Sequence, residues 1–389
     1  MTAPASALDR AAFWFIAASL GIVQLNLLVA QVLFGVAAIL WLVLIARGRR
    51  APMPAFLVPL GVYAGLTVIS ALASDDPRTS MIDNKQLVLF LVVPIVVQVC
   101  VGTRAFRVLD IIIAIGAAGA LVGIVQFAML GYSDTSNRPV GALSHYMTYS
   151  GVLMLVTCAA VARLIYYRRE WVWPAIAVPA LVVALAVTFT RNAWIGTVVG
   201  VGTLVALRRP RLLWVLPVAV VVGFALAPEG IRQRALSTFD MNDPTVRDRF
   251  AMMEVGRRLV LEFPLLGVGP DRIKTVYADY RPDYGVNATN PHLHNVPIQI
   301  AAERGLPALG AWLWFIVVAA RDLWRQLRLG QAPALAGAGL AAVAAMLSAG
   351  WFEYNFGDSE FLMLFLGLIA LPHAARRDES GEPREARDA

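Results

Sequence analysis

The sequence predicts an all-α, polytopic membrane protein of about twelve transmembrane helices, with one large loop on one face. Three observations predict it. Of its 389 residues 59% are hydrophobic and only 15% charged, with a mean hydropathy of +0.67, whereas a soluble chain carries about 25% charged residues. Nearly uncharged blocks recur along the whole length, and a membrane-crossing helix needs about 20 apolar residues. The basic residues concentrate in every second connection between these blocks. The same arithmetic excludes a disordered chain, a collagen-like repeat and a disulfide scaffold. Cys100 and Cys158 both fall in apolar blocks and read as small buried hydrophobes.

Apolar runs between charges place spans near 11–28, 30–46, 55–73, 86–102, 106–130, 146–166, 171–189, 192–207, 211–227, 294–319, 331–350 and 358–373. The first follows Arg10 directly and runs into a second apolar block, so it is expected to be retained and not cleaved. Residues 1–227 thus hold spans one to nine, 228–293 the long loop, 294–373 spans ten to twelve and 374–389 a tail. With the N-terminus in the cytoplasm, the inner segments collect 19 of the 33 basic residues but only 9 of the 26 acidic ones. Every inner loop is then arginine-rich, as the positive-inside rule requires. Both termini are expected in the cytoplasm and the long loop outside. The net charge of +7 follows from this asymmetry and calls for no nucleic acid.

Structureless loops as long as 228–293 are uncommon. Asn242-Asp243-Pro244 is a helix start, with Asp243 as N-cap and Pro244 at the first position. Val246, Phe250, Met253 and Val260 then keep helical spacing as far as Pro264, and Arg247 and Arg258 share a face. A turn-rich Pro264-Leu265-Leu266-Gly267-Val268-Gly269-Pro270 follows, and a second short amphipathic stretch lies near 271–281.

Polar residues in an apolar chain point to chemistry. Arg191 interrupts a long apolar block at a tight connection on the outer side. Ionisable groups at membrane depth usually face a cavity or a site, although an arginine at a span end also snorkels into headgroups. Asn290-Pro291 reads as another N-cap and first helical proline, which puts His292 and His294 in the first turn of the next span. A helix N-terminus disfavours imidazolium, so His294 there is poised to accept a proton. Two histidines at i and i+2 of a helix face different ways, and no cysteine or carboxylate flanks them, so neither metal nor cofactor is expected. His373 reads as a solvated residue at an inner end, and Glu303 and Arg304 as partners of each other. Asn287-Ala288-Thr289 matches a short sequon that arises often by chance. Among the loop cations Arg247, Arg249, Arg257, Arg258, Arg272, Lys274 and Arg281, spacing alone does not choose between a solvated surface and an anion clamp.

In order and spacing, Pro264-Leu265-Leu266-Gly267-Val268-Gly269-Pro270, His294-Asn295 and Ala302-Glu303-Arg304-Gly305-Leu306 resemble the O-antigen ligase and polymerase superfamily of bacterial inner-membrane proteins. Thr190-Arg191-Asn192 is similar to that family's Ser/Thr-Arg turn, Asn137-Arg138-Pro139-Val140-Gly141 through His145 to its loop before the sixth span, and Asp248-Arg249-Phe250 to its loop arginine. The resemblance implies a membrane-embedded, metal-independent glycosyltransferase that takes a glycan from undecaprenyl diphosphate at the periplasmic face. It implies His294 as general base, Arg191 and Arg249 as catalytic cations, and Arg247, Arg258, Asn295 and Arg138 as substrate-binding residues. The single long outer loop and short tail point to a ligase using lipid A-core as acceptor. A polymerase or a protein O-oligosaccharyltransferase of the same superfamily is the alternative, and a transporter, which repeat halves or broken helices would announce, the reading from another class.

Overall fold

The computed structural model describes residues 6–131, 137–167, 171–237, 240 and 243–376. Arg168, Arg169, Arg377, Arg384 and Arg387 of the inner segments, and Asn242 of the loop, lie outside the described residues. Those described form helices and no strand. In chain order the helices are α1 (Ala7–Ile22), α2 (Leu27–Ala46), α3 (Leu57–Ala73), α4 (Pro77–Asp83), α5 (Val92–Val99), α6 (Thr103–Met129), α7 (Tyr146–Tyr166), α8 (Val172–Val187) and α9 (Arg191–Arg208). There follow α10 (Val215–Leu226), α11 (Glu229–Leu236), α12 (Pro244–Glu262), α13 (Ile273–Tyr280), α14 (Val296–Arg328), α15 (Pro333–Ala349) and α16 (Ser359–Ala375).

By length and composition five helices can cross a membrane: Leu27–Ala46, Pro77–Val99, Thr103–Met129, Tyr146–Tyr166 and Val296–Arg328. Five more apolar helices are shorter. Leu28, Val32, Ile39 and Leu42 on α2, and Val218 and Val221 on α10, turn large apolar side chains outward. Such a perimeter suits hydrocarbon and not water. The chain is a polytopic helical membrane protein.

Inside, α7, α15 and α16 are buried along nearly their whole length. α15 is built largely of alanine and glycine, and small residues let helix backbones approach closely. At Gly196 and Gly200 of α9 an added Cβ would stand 3.0 Å from the Ala345 and Ala341 carbonyl oxygens. This contact holds α9, which begins with Arg191, against α15.

Two predicted spans are built differently from expectation. The fourth is a composite in which α4 and α5 are joined by a 3-10 segment at Asn84–Leu91, where the polar Asn84-Lys85-Gln86 interrupts the apolar pattern. The tenth extends to Arg328 and breaks at Gly305, whose backbone (φ 82°, ψ 168°) is a conformation open essentially to glycine alone. The sequence reading found no broken helix, because a glycine within an apolar run gives no period signal. The break exposes backbone groups that the 264–270 turn satisfies. Val268 N–H donates to the Ala302 carbonyl (3.0 Å), Gly269 N–H to that of Glu303 (2.8 Å), and Leu306 N–H to that of Pro264 (2.8 Å). From α3, the Ser70 hydroxyl donates to the Leu266 carbonyl at 2.6 Å. A Cβ on Gly305 would come within 2.1 Å of the Leu265 carbonyl oxygen.

Glu303 and Arg304 pair as expected at 2.6 Å, and Arg304 also reaches Asp83 at 3.4 Å. His373 is not solvated: it is buried, 2.9 Å from Asp322 and packed on the Phe56 ring. Both cysteines are buried thiols.

Candidate active site

Five segments far apart in sequence supply the residues of the site. Arg138 precedes α7, Arg191 opens α9, Arg234 lies on α11, Arg249 on α12 and His294 just ahead of α14; together they line a cavity of about 340 Å³. Asp243 caps α12 with Pro244 in the first turn, as its spacing predicts, and its carboxylate accepts from Thr245 N–H at 2.8 Å. The face of α12 that packs inward is Met252, Val255 and Leu259, whereas the predicted Val246, Phe250 and Met253 line the cavity with Arg249, and Phe250 and Met253 are exposed.

Each arginine is anchored. Arg191 Nη1 donates to Ser237 Oγ at 3.1 Å, Arg138 stacks 4.3 Å above the Tyr146 ring, and Arg249 donates to the Phe352 carbonyl. Arg234 reaches the Phe189 carbonyl at 3.4 Å and Asp243 at 3.8 Å. Burial pushes the Arg249 guanidinium below its ordinary pKa; Glu353 opposes that shift and the nearby Arg234 adds to it. Arg138 is lowered by burial in the same way, with Arg234 again adding to it. Like charges that line one cavity are unfavourable in the free protein, and a guanidinium group pairs well with an anion.

His292 and His294 do not sit in a first helical turn. α14 begins at Val296 with Asn295 as its cap, because the Asn295 side chain accepts from Ile298 N–H at 2.9 Å and donates to the Trp351 carbonyl at 3.0 Å. The segment ahead of the cap is irregular, and His294 has a left-handed backbone (φ 49°). Phe189, two residues before Arg191, shares that rare conformation (φ 54°) and also lines the cavity. Strained backbone of this kind concentrates at functional sites.

The irregular path brings the two imidazoles together, their ring centres 4.3 Å apart, where helical i+2 spacing would have separated them. Both converge on Glu353, from the connection between α15 and α16: His294 Nδ1 lies 2.8 Å from Oε2 and His292 Nε2 3.3 Å from Oε1. Burial alone would raise the pKa of the Glu353 carboxyl. The charge of His294 and the hydrogen bonds from both imidazoles outweigh it and hold the group well below the usual carboxylate range. In a neutral His294 ring, Nδ1–H directed at Glu353 leaves the lone pair on Nε2.

The absence of a carboxylate near the histidines was a property of the sequence and not of the fold. The ligand atoms of His292, His294 and Glu353 lie within 4.8 Å of one another and can hold a divalent ion. They form a three-ligand set, one short of the closed tetrahedral shell of a structural zinc site.

Two sequence-predicted site residues are not brought to this cavity. Arg247 donates to the Tyr284 carbonyl (3.4 Å), and Arg258 pairs with Glu254 (2.8 Å) and reaches the Tyr280 carbonyl (3.3 Å). They share a face of α12, as their spacing predicts, but that face binds the 280–284 segment. Asn295 lines the cavity with its side chain committed to the cap. Sequence reasoning missed Arg234 and Glu353. Arg234 sits in a short helix with no period signal, and Glu353 in a nine-residue connection where its spacing to the histidines is unremarkable.

His294 also lines a second cavity of about 410 Å³, with His292, Glu353, Tyr354, Asn355 and Asp358. A third, of about 260 Å³, runs past His294 to Asp248, Asn287 and Asn290. There Asn287 Nδ2 donates to Asp248 at 2.6 Å, so the sequon asparagine is tied into the loop.

A bundle of apolar helices whose connections gather arginines and a carboxylate-paired histidine into one cavity defines a polytopic membrane protein with a cationic cavity at one end. Residues 176–313 match the family model described as O-Antigen ligase. That stretch, which carries Arg191, Arg234, Arg249 and His294, is similar to the O-antigen ligase family, an enzyme family of glycosyltransferase-like ligases and polymerases. Arg138 and Glu353 come from outside the matched residues. No curated protein matches the chain.

Proposed function

We propose that the chain is an O-antigen ligase that transfers a glycan from undecaprenyl diphosphate to a sugar hydroxyl of lipid A-core, with inversion and without a metal ion. The supporting observation is that His294 stands where the arginine-lined cavity meets the cavity rich in carboxylate and amide groups. The diphosphate occupies the arginine side. Guanidinium groups pair bidentately with phosphate oxygens, and fixed cations in a dry site neutralise the leaving charge without reorganising. The acceptor hydroxyl approaches from the other side. Its oxygen forms a bond to the anomeric carbon, the bond from that carbon to the diphosphate breaks on the opposite face, and the diphosphate departs with the electron pair. The hydroxyl proton passes to His294 Nε2, while Glu353 holds the imidazole and offsets the charge it gains, the logic of any histidine oriented by a carboxylate.

In this reading the protein lies in the bacterial inner membrane with twelve crossings, both termini cytoplasmic and the site open to the periplasm. Arg191 and Arg249 act on the diphosphate with Arg138 and Arg234 behind them. Arg247, Arg258 and Asn295 hold the loop and the helix start. The test is deletion of the protein followed by inspection of lipopolysaccharide. Loss of the O-antigen ladder, with core and lipid-linked polymer both present, is expected. Loss of the lipid-linked polymer itself would replace the ligase by a polymerase.

A further inference from the structure

His292, His294 and Glu353 offer one ligand atom each, all within 4.8 Å of one another, and backbone contacts hold the cluster together. Val296 N–H donates to the Gly350 carbonyl at 2.7 Å and Asn295 Nδ2 to that of Trp351 at 3.0 Å. These bonds tie the start of α14 to the connection that carries Glu353. Glu353 Oε1 also accepts from Tyr354 N–H at 3.1 Å, so the carboxylate is oriented before any ligand arrives. Donor atoms around a tetrahedral zinc, each bonded at about 2.0–2.2 Å, stand roughly 3.4 Å apart. The separations here, 2.8 Å from His294 Nδ1 to Oε2 and 3.3 Å from His292 Nε2 to Oε1, are close to that spacing. Two imidazoles and one carboxylate suit zinc better than magnesium or calcium, which take oxygen donors. Three protein ligands leave the fourth position to water. The two half-buried imidazoles line the 410 Å³ cavity, which, among the described residues, no arginine or lysine lines.

We propose that this cluster is an inhibitory zinc site, at which Zn²⁺ held by His292, His294 and Glu353 switches the active site off. The binding site stands without any assignment of the reaction; that its occupation stops transfer rests on the reading of His294 as general base. In the zinc-free protein the neutral His294 ring directs Nδ1–H at Glu353 and keeps the lone pair on Nε2 for the acceptor hydroxyl. Zinc forms its bond with the lone pair of Nδ1. The proton that Nδ1 carried moves to Nε2, the ring stays neutral, and no lone pair remains to accept a proton. His292 binds through the lone pair of Nε2, with its own proton on Nδ1. The Glu353 carboxylate, bonded to zinc, no longer offsets charge on the imidazole. One ion thereby disables the base and its partner together, while the arginines still hold the donor.

The experiment uses the full chain in detergent, stripped with EDTA and then freed of the chelator. Zinc binding is measured calorimetrically without substrates, with Mg²⁺ as comparison. Transfer from a lipid-linked glycan donor is measured separately at rising free Zn²⁺. A single zinc ion per chain is expected, undisturbed by excess Mg²⁺. Glu353→Gln and His292→Ala are each expected to weaken its binding about tenfold or more, the loss that even outer-shell partners of a bound metal cause. Transfer is expected to fall as the site fills, with donor binding unchanged, and to return on addition of EDTA. In His292→Ala the zinc concentration that halves transfer should rise by the same factor as zinc binding weakens, a correspondence that loss of structure does not produce. Zinc binding equally strong in both variants overturns the site. Transfer undiminished or stimulated by bound zinc overturns the inhibition. Zinc binding that depends on both residues, in a protein that shows no transfer, upholds the site and removes the ligase reading.

Discussion

Glu353 carries two imidazoles on its two oxygens, and this division of labour sets what each substitution does. His294→Ala removes the proton acceptor, so transfer is expected to fall about 10²–10⁴-fold while donor binding persists, since the diphosphate is held by the arginines. His292→Ala leaves the 2.8 Å contact of His294 with Glu353 intact and is expected to lower transfer only a few-fold. Transfer rates and donor binding of the two variants, compared side by side, check this; loss in His292→Ala alone would move the base two residues upstream. Arg191→Ala is expected to weaken donor binding and lose about 10²–10³ in rate, with Arg191→Lys restoring only part, because a point charge does not reproduce the guanidinium fork. Four arginines at one cavity make a divalent ion redundant, so transfer by the purified protein is expected to persist in excess EDTA. Activity lost to chelator and restored by one divalent ion would assign that ion to His292, His294 and Glu353. The Glu353 carboxyl is depressed on folding, so the stability it confers is full above the unfolded carboxylate pKa of about 4.3 and declines as pH falls towards its folded value. Melting temperatures of the unaltered protein and Glu353→Gln should differ at neutral pH and converge in acid.

At the scale of elements, the 264–270 turn and the break in α14 are two halves of one lock. The carbonyls freed at Ala302 and Glu303 are taken up by Val268 and Gly269, and Gly267 (φ 66°) passes so close that a Cβ there would stand 2.3 Å from the Glu303 carbonyl carbon. These motifs touch neither of the two larger cavities; they join the 264–270 turn to α14 at its break. Gly305→Ala meets both a forbidden backbone and a 2.1 Å contact with the Leu265 carbonyl oxygen. It is expected to destabilise the fold by about 1–3 kcal/mol or more, read as a lowered melting temperature in detergent. An unchanged melting temperature would show that the lock does not bear on the fold.

At the scale of the whole molecule, the site gathers the connections that the charge pattern assigns to one side. Arg138, Arg191, the 228–293 segment and Glu353 all belong to predicted outer connections, while the Arg49–Asp9 and His373–Asp322 pairs belong to inner ones. Reporter fusions at Gly48 and Arg209 are expected to report cytoplasm and one at Asp279 periplasm; a cytoplasmic signal at Asp279 would reverse the site's orientation.

The helical membrane class, most helix positions, the Asp243 cap of α12 and the choice of Arg191, Arg249 and His294 as residues of interest were legible in the sequence. Hydropathy, capping and short motifs are local properties that the chain carries wherever it folds. The His294–Glu353 pair spans 59 positions, and nothing local in the nine-residue connection around Glu353 announces it. Likewise Arg247, Arg258 and Arg249 look alike by spacing, yet side chains of one helix point to different neighbours, and only the packing of α12 sends Arg249 to the cavity and the other two to the 280–284 segment. The tertiary structure alone decided which charges meet, because meeting depends on how helices far apart in the chain pack, and a local pattern holds no record of that.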